Sequence, residues 1–274
     1  MTIRIWHQSM TDLTKLPQYA KTLQEHAQTV CAKDTVVDIH GVMPGTYPPS
    51  IPPIEAIVNP WVDKMISAQI VHNAVMAERQ GYDAVAISCF FDPGLREARS
   101  LVNIPVVSLA ETSFFVGTVM GGRFGLIGLG PKQVFVLDEL ATRYGANGRI
   151  VATLPLTPGV SEDELESVHG GGGDLVERVE KVASKAVAMG ADVIIPAEGV
   201  LNTALMRRGI KQLAGVPVMD AYGVLLGYAE MLARLQRSTG LAVGHTGYYA
   251  GPDGAGFDFF TKVTIEALSN NLRS

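Results

Sequence analysis

Short runs rich in Val and Ile alternate along this chain with longer segments whose apolar residues recur every three or four positions. The short runs predict buried strands, and the longer period predicts amphipathic helices. The predicted strands cover residues 3–6, 35–41, 83–88, 105–109, 123–130, 149–156, 192–197 and 217–220. The predicted helices cover residues 13–32, 61–80, 132–145, 174–189, 221–237 and a last one from Asp258 to Leu272. This alternation predicts an α/β fold, with parallel sheets covered by helices.

One pattern occurs twice. In GYDAVAISCFFDPGL, Cys89 follows Asp83 by six positions, and in GADVIIPAEGVLNTAL, Glu198 follows Asp192 by six positions. Both segments continue through an amphipathic pattern to a short strand, IPVV or VPVM. The repeat predicts two pseudo-symmetric domains, residues 1–118 with 220–274 and residues 119–219. Ligands of such sheets bind beyond the carboxyl ends of the strands, so the active site is expected in the cleft between the domains.

The two strand-end side chains could carry protons to opposite faces of one carbon. Cys89 precedes a predicted helix start, whose dipole would lower the thiol pKa; the alternative is a buried, inert thiol. Glu198 interrupts an apolar run, where a carboxylate is costly unless it is paired or used. Partial burial would raise its pKa. The alternative roles for Glu198 are a helix N-cap or a salt bridge to Arg207 or Arg208.

Other polar or small residues follow predicted strands and are candidates for substrate binding. His7 could be a third acid/base group or a structural histidine, whereas amide and hydroxyl side chains beside it suit hydrogen bonds to a carboxylate or imide. Thr112 and Ser113 begin a predicted helix whose free N–H groups could bind an anion, or they only cap it. The full set of predicted substrate-binding residues is His7, Gln8, Ser9, Ser88, Phe90, Thr112, Ser113, Gly128 and Gly199.

Three loops have unusual compositions. Residues 43–59 hold five prolines, which favours a lid or an oligomer contact. HGGGGD at 169–174 lacks the Lys-Ser/Thr of a phosphate-binding loop, so a flexible linker is favoured. Residues 243–258 are rich in Gly and aromatic residues, and either a closing flap or a plain surface loop is compatible with that pattern.

Composition narrows the function classes. The chain has 274 residues, 47% of them hydrophobic, and a net charge of −5 with scattered Lys and Arg, which excludes an electrostatic nucleic-acid interface. No run approaches the roughly 18 apolar residues of a membrane span, and the opening MTIRIWHQSM has no secretion pattern, so a cytoplasmic location is expected.

The two cysteines, Cys31 and Cys89, form no CxxC motif, and no metal site is predicted. Cys31 falls in a helical pattern and is expected to be a buried small hydrophobe.

Several stretches together resemble the aspartate/glutamate/hydantoin racemase superfamily, most closely its hydantoin and allantoin racemase branch. They are GYDAVAISCFFDPGLREARSLVNIPVVSLAE, RFGLIGLG, ADVIIPAEG, AGVPVMDAYG and STGLAVGHTGYYAGP. The resemblance implies two pseudo-symmetric α/β domains, no metal, no cofactor, and one catalytic cysteine from each half. Cys89 matches the first cysteine, but Glu198 stands where the second is expected. The first strand ends in WHQS rather than the Asn-Pro-Asn pattern of the superfamily.

These observations predict a cofactor-independent racemase or epimerase of a small molecule whose acidic carbon lies next to a carbonyl or imide. Cys89 and Glu198 would be its proton carriers. The alternatives are a single-thiol lyase such as a malonate-type decarboxylase, a cis–trans isomerase, and a non-catalytic small-molecule-binding protein. The expected partner is an anionic or imide small molecule, without nucleic acid or membrane, and the protein is expected to be a homo-oligomer.

Overall fold

The computed structural model describes residues 2–169 and 173–271 as a set of parallel sheets flanked by helices. The first sheet has the order β2-β1-β3-β4 and the second the order β6-β5-β7, and all their strand pairs are parallel. A short antiparallel pair, β8-β9, follows them. The strands are β1 (Ile3–Gln8), β2 (Thr35–His40), β3 (Ala84–Ile87), β4 (Val106–Ser108), β5 (Phe124–Gly128), β6 (Ile150–Pro155), β7 (Val193–Pro196), β8 (Gln212–Leu213) and β9 (Val216–Pro217).

Helices connect the strands. They are α1 (Pro17–Val30), α2 (Pro53–Ala56), α3 (Pro60–Arg79), α4 (Leu95–Arg99), α5 (Leu109–Met120), α6 (Pro131–Arg143), α7 (Glu162–His169), α8 (Leu175–Ala188), α9 (Gly199–Arg207), α10 (Ala221–Thr239) and α11 (Gly254–Asn271). Several begin with proline, whose fixed φ and missing N–H suit the first helical turn. Among the described residues no helix is both long and apolar enough to span a membrane.

Successive residues of a strand point to opposite faces of its sheet. In the first sheet both faces are buried, each in a different hydrophobic core. Ile5 and Ala84 are register partners and belong to the larger core, which also contains residues of α1, α5, α9 and α10. Trp6 and Val85, one position further, belong to a second core with residues of α3. The larger core extends from Ile3 through the strands of the second sheet, so one apolar interior joins the two sheets.

The Asp that opens each repeated segment makes the same contact in both halves. The Asp83 carboxylate accepts a hydrogen bond from the backbone N–H of Arg4, 2.8 Å away, where β1 begins beside β3. The Asp192 carboxylate accepts one from the N–H of Arg123, 2.9 Å away, next to the start of β5 beside β7. Each Asp therefore supports the start of its central strand pair.

The predicted fold class is confirmed, and most predicted elements occur within a few residues of their expected bounds. The predicted strand at 217–220 is shorter: Val216–Pro217 pairs with β8, and Val218 makes one bridge to Ile194. The sequence pattern did not single out α2 and α7. Residues 170–172 of the predicted linker and the end of the last predicted helix at Leu272 lie outside the described residues. The domain bounds stay a prediction; α10 packs on the first sheet, against β1 and β3.

Candidate active site

A cavity of about 730 Å³ lies at the carboxyl ends of central strands from both sheets. The segments that follow β1, β3, β5 and β7 each contribute to its wall, and the proline-rich segment, α1 and the loop after β6 complete it. The contributing residues are Ser9–Thr11, Ser88–Phe91, Leu129–Gln133 and Glu198–Val200, together with Tyr19, Ile51, Pro53–Glu55, Ile57, Val58, Gly159 and Val160. This position matches the general rule that open parallel sheets bind ligands beyond their strand ends.

The Cys89 thiol lies in this wall and is 7% exposed. The N–H of Phe91 donates to its sulfur at 3.3 Å, and the Met10 sulfur lies 2.8 Å away. Burial raises the pKa of the Cys89 thiol well above its usual value, and the carboxylates of Asp63, Asp92 and Glu198 add to the rise. The single N–H acts in the other direction but is outweighed. The resting side chain is therefore the neutral thiol.

The expected helix-dipole effect on Cys89 was wrong. The residues after Cys89 form a turn, in which Asp92 has φ +48° and Gly94 has φ +67°, and α4 begins only at Leu95. This turn separates Cys89 from the first residue of α4, so the thiol does not lie at the N-cap of that helix. Burial then dominates the thiol pKa.

Glu198, unlike Cys89, lies directly at the N-terminus of a helix. It is the N-cap of α9, and its carboxylate accepts a hydrogen bond from the N–H of Leu201 at 2.7 Å. Burial raises the pKa of Glu198, against the N–H groups of α9, which lower it. The direction agrees with the expected effect of partial burial. The alternative of a capping role is thus present, and the same carboxylate also lines the cavity.

Arg207, one of the two suggested salt-bridge partners of Glu198, makes other contacts. It donates to the hydroxyl of Thr22 at 2.6 Å and pairs with Glu25 at 3.7 Å. Both of these residues belong to α1, so Arg207 joins α9 to α1.

Four of the nine predicted substrate-binding residues line the cavity: Ser9, Ser88, Phe90 and Gly199. The Ser88 hydroxyl is buried and makes no hydrogen bond within 3.5 Å among the described residues, and it interacts at longer range with the Tyr19 hydroxyl. Ser9 accepts a hydrogen bond from the N–H of Thr11 at 3.2 Å. An unpaired buried hydroxyl in a cavity wall is available to a ligand.

His7 and Gln8 lie inside the first sheet and not in the cavity wall. β1 continues through both of them, two residues beyond its predicted end. The Gln8 amide oxygen accepts hydrogen bonds from Trp6 and Asn73, at 2.9 and 3.0 Å. His7 packs edge-on against Tyr222, and burial lowers its pKa to about 3. His7 is therefore a neutral core side chain.

The remaining three predicted residues also lie away from the cavity wall. The Thr112 hydroxyl donates to the carbonyl of Ser108 at 2.8 Å, within the first turn of α5. Ser113 is fully buried in the same helix. Gly128 ends β5, and a Cβ there would lie 3.0 Å from the Gln133 side-chain oxygen, so this glycine serves packing.

Sequence reasoning missed several residues of the wall. Tyr19 projects from the middle of the first turn of α1, and its hydroxyl lies beside Gly199. Burial raises its pKa, with Glu198 adding to the rise, so it is a neutral donor. Lys132 follows Pro131 at the start of α6. The strand-end signal at GLGP could have led to Lys132, but nothing local in the helical pattern of α1 marks Tyr19.

The charges around the cavity are mostly acidic. Among the described wall residues, Lys132 is the one cation, and Glu55 and Glu198 are the carboxylates. Nearby, burial and then the charge of Glu198 raise the pKa of Glu162 to about 7. The described residues contain no group of three or more His, Cys, Asp or Glu side chains that could bind a metal ion.

Comparison with known proteins identifies the family. The family model for Asp/Glu/hydantoin racemases matches residues 17–229. A hydantoin racemase of Pseudomonas sp. (strain NS671) is 26% identical over 221 residues, covering 80% of this chain and 82% of the relative. A hydantoin racemase of Rhizobium meliloti is 28% identical over 182 residues, covering 64% and 68%.

A solved structure has the same fold. Allantoin racemase from Klebsiella pneumoniae superposes with a TM-score of 0.75 at 22% identity, covering 92% of this chain and 94% of that chain. The match over most of the length places the chain in the Asp/Glu/hydantoin racemase family. It is an isomerase of the racemase type.

Proposed function

We propose that this chain is a cofactor-independent racemase of a ring compound of the hydantoin or allantoin type, and that Cys89 and Glu198 are its two proton carriers. One observation carries the proposal: a thiol and a carboxylate, at equivalent strand ends of the two repeated segments, line a single cavity. Groups placed in this way can reach opposite faces of a carbon between them.

The two pKa directions fit a pair that shares one proton. The Cys89 thiol keeps its proton at neutral pH because its pKa is raised well above the usual value. The Glu198 pKa is also raised, which makes it a stronger base than an exposed carboxylate. Glu198 removes the α-proton from one enantiomer, and Cys89 donates its proton to the opposite face of the enolate. The reverse direction starts from the tautomer with protonated Glu198 and the Cys89 thiolate.

Neutral donors in the wall would stabilise the enolate formed between the two transfers. The buried hydroxyl of Ser88 is adjacent to Cys89 in the chain, and the Tyr19 hydroxyl lies near Ser88 and beside Gly199, next to Glu198. Preorganised donors of this kind act strongly in a cavity from which water is displaced. Tyr19 donates rather than ionises, since its pKa is raised.

The wall favours a ring over a free amino acid. An Arg guanidinium is a strong bidentate partner of a carboxylate, and the described wall residues include one Lys and no Arg. Most of the remaining wall is apolar, from Ile51, Ile54, Ile57, Val58 and Phe91. Such a wall suits an uncharged imide ring with an apolar substituent. The hydantoin racemase relatives support the same choice.

The test is proton NMR in deuterium oxide with hydantoins, allantoin, amino acids and malonates, combined with the optical rotation of each sample. We expect α-deuterium exchange with loss of optical rotation for the ring compounds. Exchange confined to amino acids would contradict the substrate class. A decarboxylated, deuterated malonate would instead support the single-thiol lyase.

Glu198→Gln tests the assignment of the second carrier. The amide oxygen can still accept from Leu201, so α9 keeps its cap, but the side chain no longer carries a proton. We expect racemisation to fall by roughly 10²- to 10⁴-fold with substrate binding retained. Any residual exchange without inversion should be confined to the enantiomer whose proton faces Cys89, because the other enantiomer has lost its base. Glu177→Gln on the exposed face of α8 is the matched control. Wild-type turnover in Glu198→Gln would make Glu198 a capping residue only.

A further inference from the structure

Asp92, three residues after Cys89, has a buried carboxylate that accepts three hydrogen bonds within 3.5 Å, and the Ser108 hydroxyl also interacts with it. One oxygen accepts from the N–H of Ala110 at 3.0 Å; the other accepts from the N–H of Glu111 at 3.0 Å and from the Tyr144 hydroxyl at 2.6 Å. Its backbone has φ +48°, a left-handed conformation that non-glycine residues rarely adopt. A strained residue with a fully used side chain holds its loop in one conformation.

The loop held by Asp92 is the one that carries the thiol. The N–H of Asp92 donates to the Cys89 carbonyl at 3.2 Å. The Ser108 hydroxyl shares its proton between the Cys89 carbonyl at 3.3 Å and the Ile87 carbonyl at 3.2 Å. The carboxylate joins this loop to the start of α5, which directly follows Ser108. Cys89 lies between β3 and α4 and belongs to neither element, so its position depends on these contacts.

The same carboxylate reaches the other half of the molecule. Tyr144 is the C-cap of α6, and the opposite end of that helix, Pro131–Gln133, lines the cavity. Asp92 thus connects the segment that carries the thiol to a helix of the facing wall.

We propose that Asp92 is a positioning residue that fixes the Cys89 thiol against the substrate and, through Tyr144, holds α6 in place as the facing wall. The inference rests on the proposed function, in which Cys89 moves a proton. Asp92 itself does not line the cavity. Its effect is on geometry, and displacement of a reacting group by about 1 Å can cost on the order of 100-fold in rate.

Asp92→Asn and Tyr144→Phe separate the two connections. The asparagine has one acceptor oxygen in place of two, so it cannot satisfy all three donors. We expect kcat to fall roughly 10- to 100-fold with KM within about threefold. Exchange without inversion should fall more for the enantiomer whose α-proton faces Cys89 than for the enantiomer whose α-proton faces Glu198. Tyr144→Phe removes only the contact to α6, so we expect a higher KM and a kcat within about threefold of wild type.

Equal loss of exchange at both faces in Asp92→Asn, or an unchanged kcat, would overturn the proposal. If kcat fell as far in Tyr144→Phe as in Asp92→Asn, the effect would come from the contact with α6. That result would also overturn the proposed positioning of Cys89 by Asp92. If Asp92→Asn does not fold, Ser108→Ala loosens the same carbonyl and should show the same selective loss. An equal loss of exchange at both faces in Ser108→Ala would count against the proposal. Full activity of Cys89→Ser would instead remove the thiol from the reaction, a failure of the proposed function itself.

Discussion

Cys89 and Glu198 occupy equivalent positions but meet different local chemistry. Glu198 caps α9, so backbone N–H groups offset part of the cost of burying its charge. Cys89 is followed by a turn and receives a single N–H, from Phe91. In the proposed reaction, the carboxylate therefore starts as the base and the thiol starts as the acid.

Replacing Cys89 tests the thiol directly. We expect Cys89→Ser and Cys89→Ala to lose racemisation by roughly 10²- to 10⁴-fold, because a proton carrier is removed while a small side chain still fills the site. Circular dichroism should show an unchanged fold. Cys31→Ser is the matched control: Cys31 is partly buried at the end of α1, and burial raises its pKa to about 11. Full activity of Cys89→Ser would exclude the thiol from proton transfer.

Strand ends could be predicted from sequence because an apolar run and its preceding Asp are local signals. That logic led to Cys89, Ser88 and Glu198. It failed to separate His7 from Ser9, because the true end of β1 depends on pairing with β2 and β3 through Gln8. Tyr19 reaches the cavity through packing of α1 on α9, and such a contact leaves no local pattern.

At the scale of elements, the proline-rich segment has two parts. Its first part is anchored: Tyr47 is 2% exposed, and its hydroxyl donates to the Met10 carbonyl at 2.7 Å. Its second part, Ile51–Val58, contains α2 and supplies much of the apolar wall. The five prolines indicated a loop with a special role, but they could not indicate which part meets the cavity.

This division leads to a prediction about ordering on ligand binding. We expect a bound hydantoin to slow amide hydrogen exchange over residues 51–58, since these residues would contact its substituent, and to leave residues 43–47 unchanged. Hydrogen-exchange mass spectrometry with and without ligand measures both ranges, and α8, remote from the cavity, is the internal control. Protection that depends on protein concentration rather than on ligand would favour the oligomer contact.

At the scale of the whole molecule, α1 joins the two halves through polar contacts. The Glu166 carboxylate of α7 accepts from the N–H groups of Gln18 and Tyr19 at 2.8 and 3.3 Å, so it caps α1 from the other half. His169 lies between the Thr22 hydroxyl and the Val200 carbonyl, 3.0 Å from each. These contacts bring residues of α7, α1 and α9 together behind the wall that contains Tyr19. They form between elements distant in sequence, which is why the pattern of the chain did not reveal them.

His169 makes this junction sensitive to acid. Burial lowers its pKa from 6.5 to about 4. Above pH 6.5 the side chain is neutral in both the folded and the unfolded state. Between pH 6.5 and about 4 the unfolded chain binds a proton that the folded chain does not, so the free energy of unfolding falls as the pH falls. The pKa difference corresponds to a loss of about 3 kcal/mol, complete near pH 4.

His169→Gln should remove this part of the pH dependence. We expect the free energy of unfolding of the variant to fall less steeply than that of wild type between pH 6.5 and 4, with the difference approaching about 3 kcal/mol. Urea unfolding at several pH values measures it, and comparing slopes cancels the contributions of groups common to both proteins, including His7. His72→Gln, at an exposed position on α3, is the control for the His-to-Gln change itself. Parallel curves for wild type and His169→Gln would mean that the folded junction accepts the proton, and that the contact between the two halves does not depend on a neutral His169.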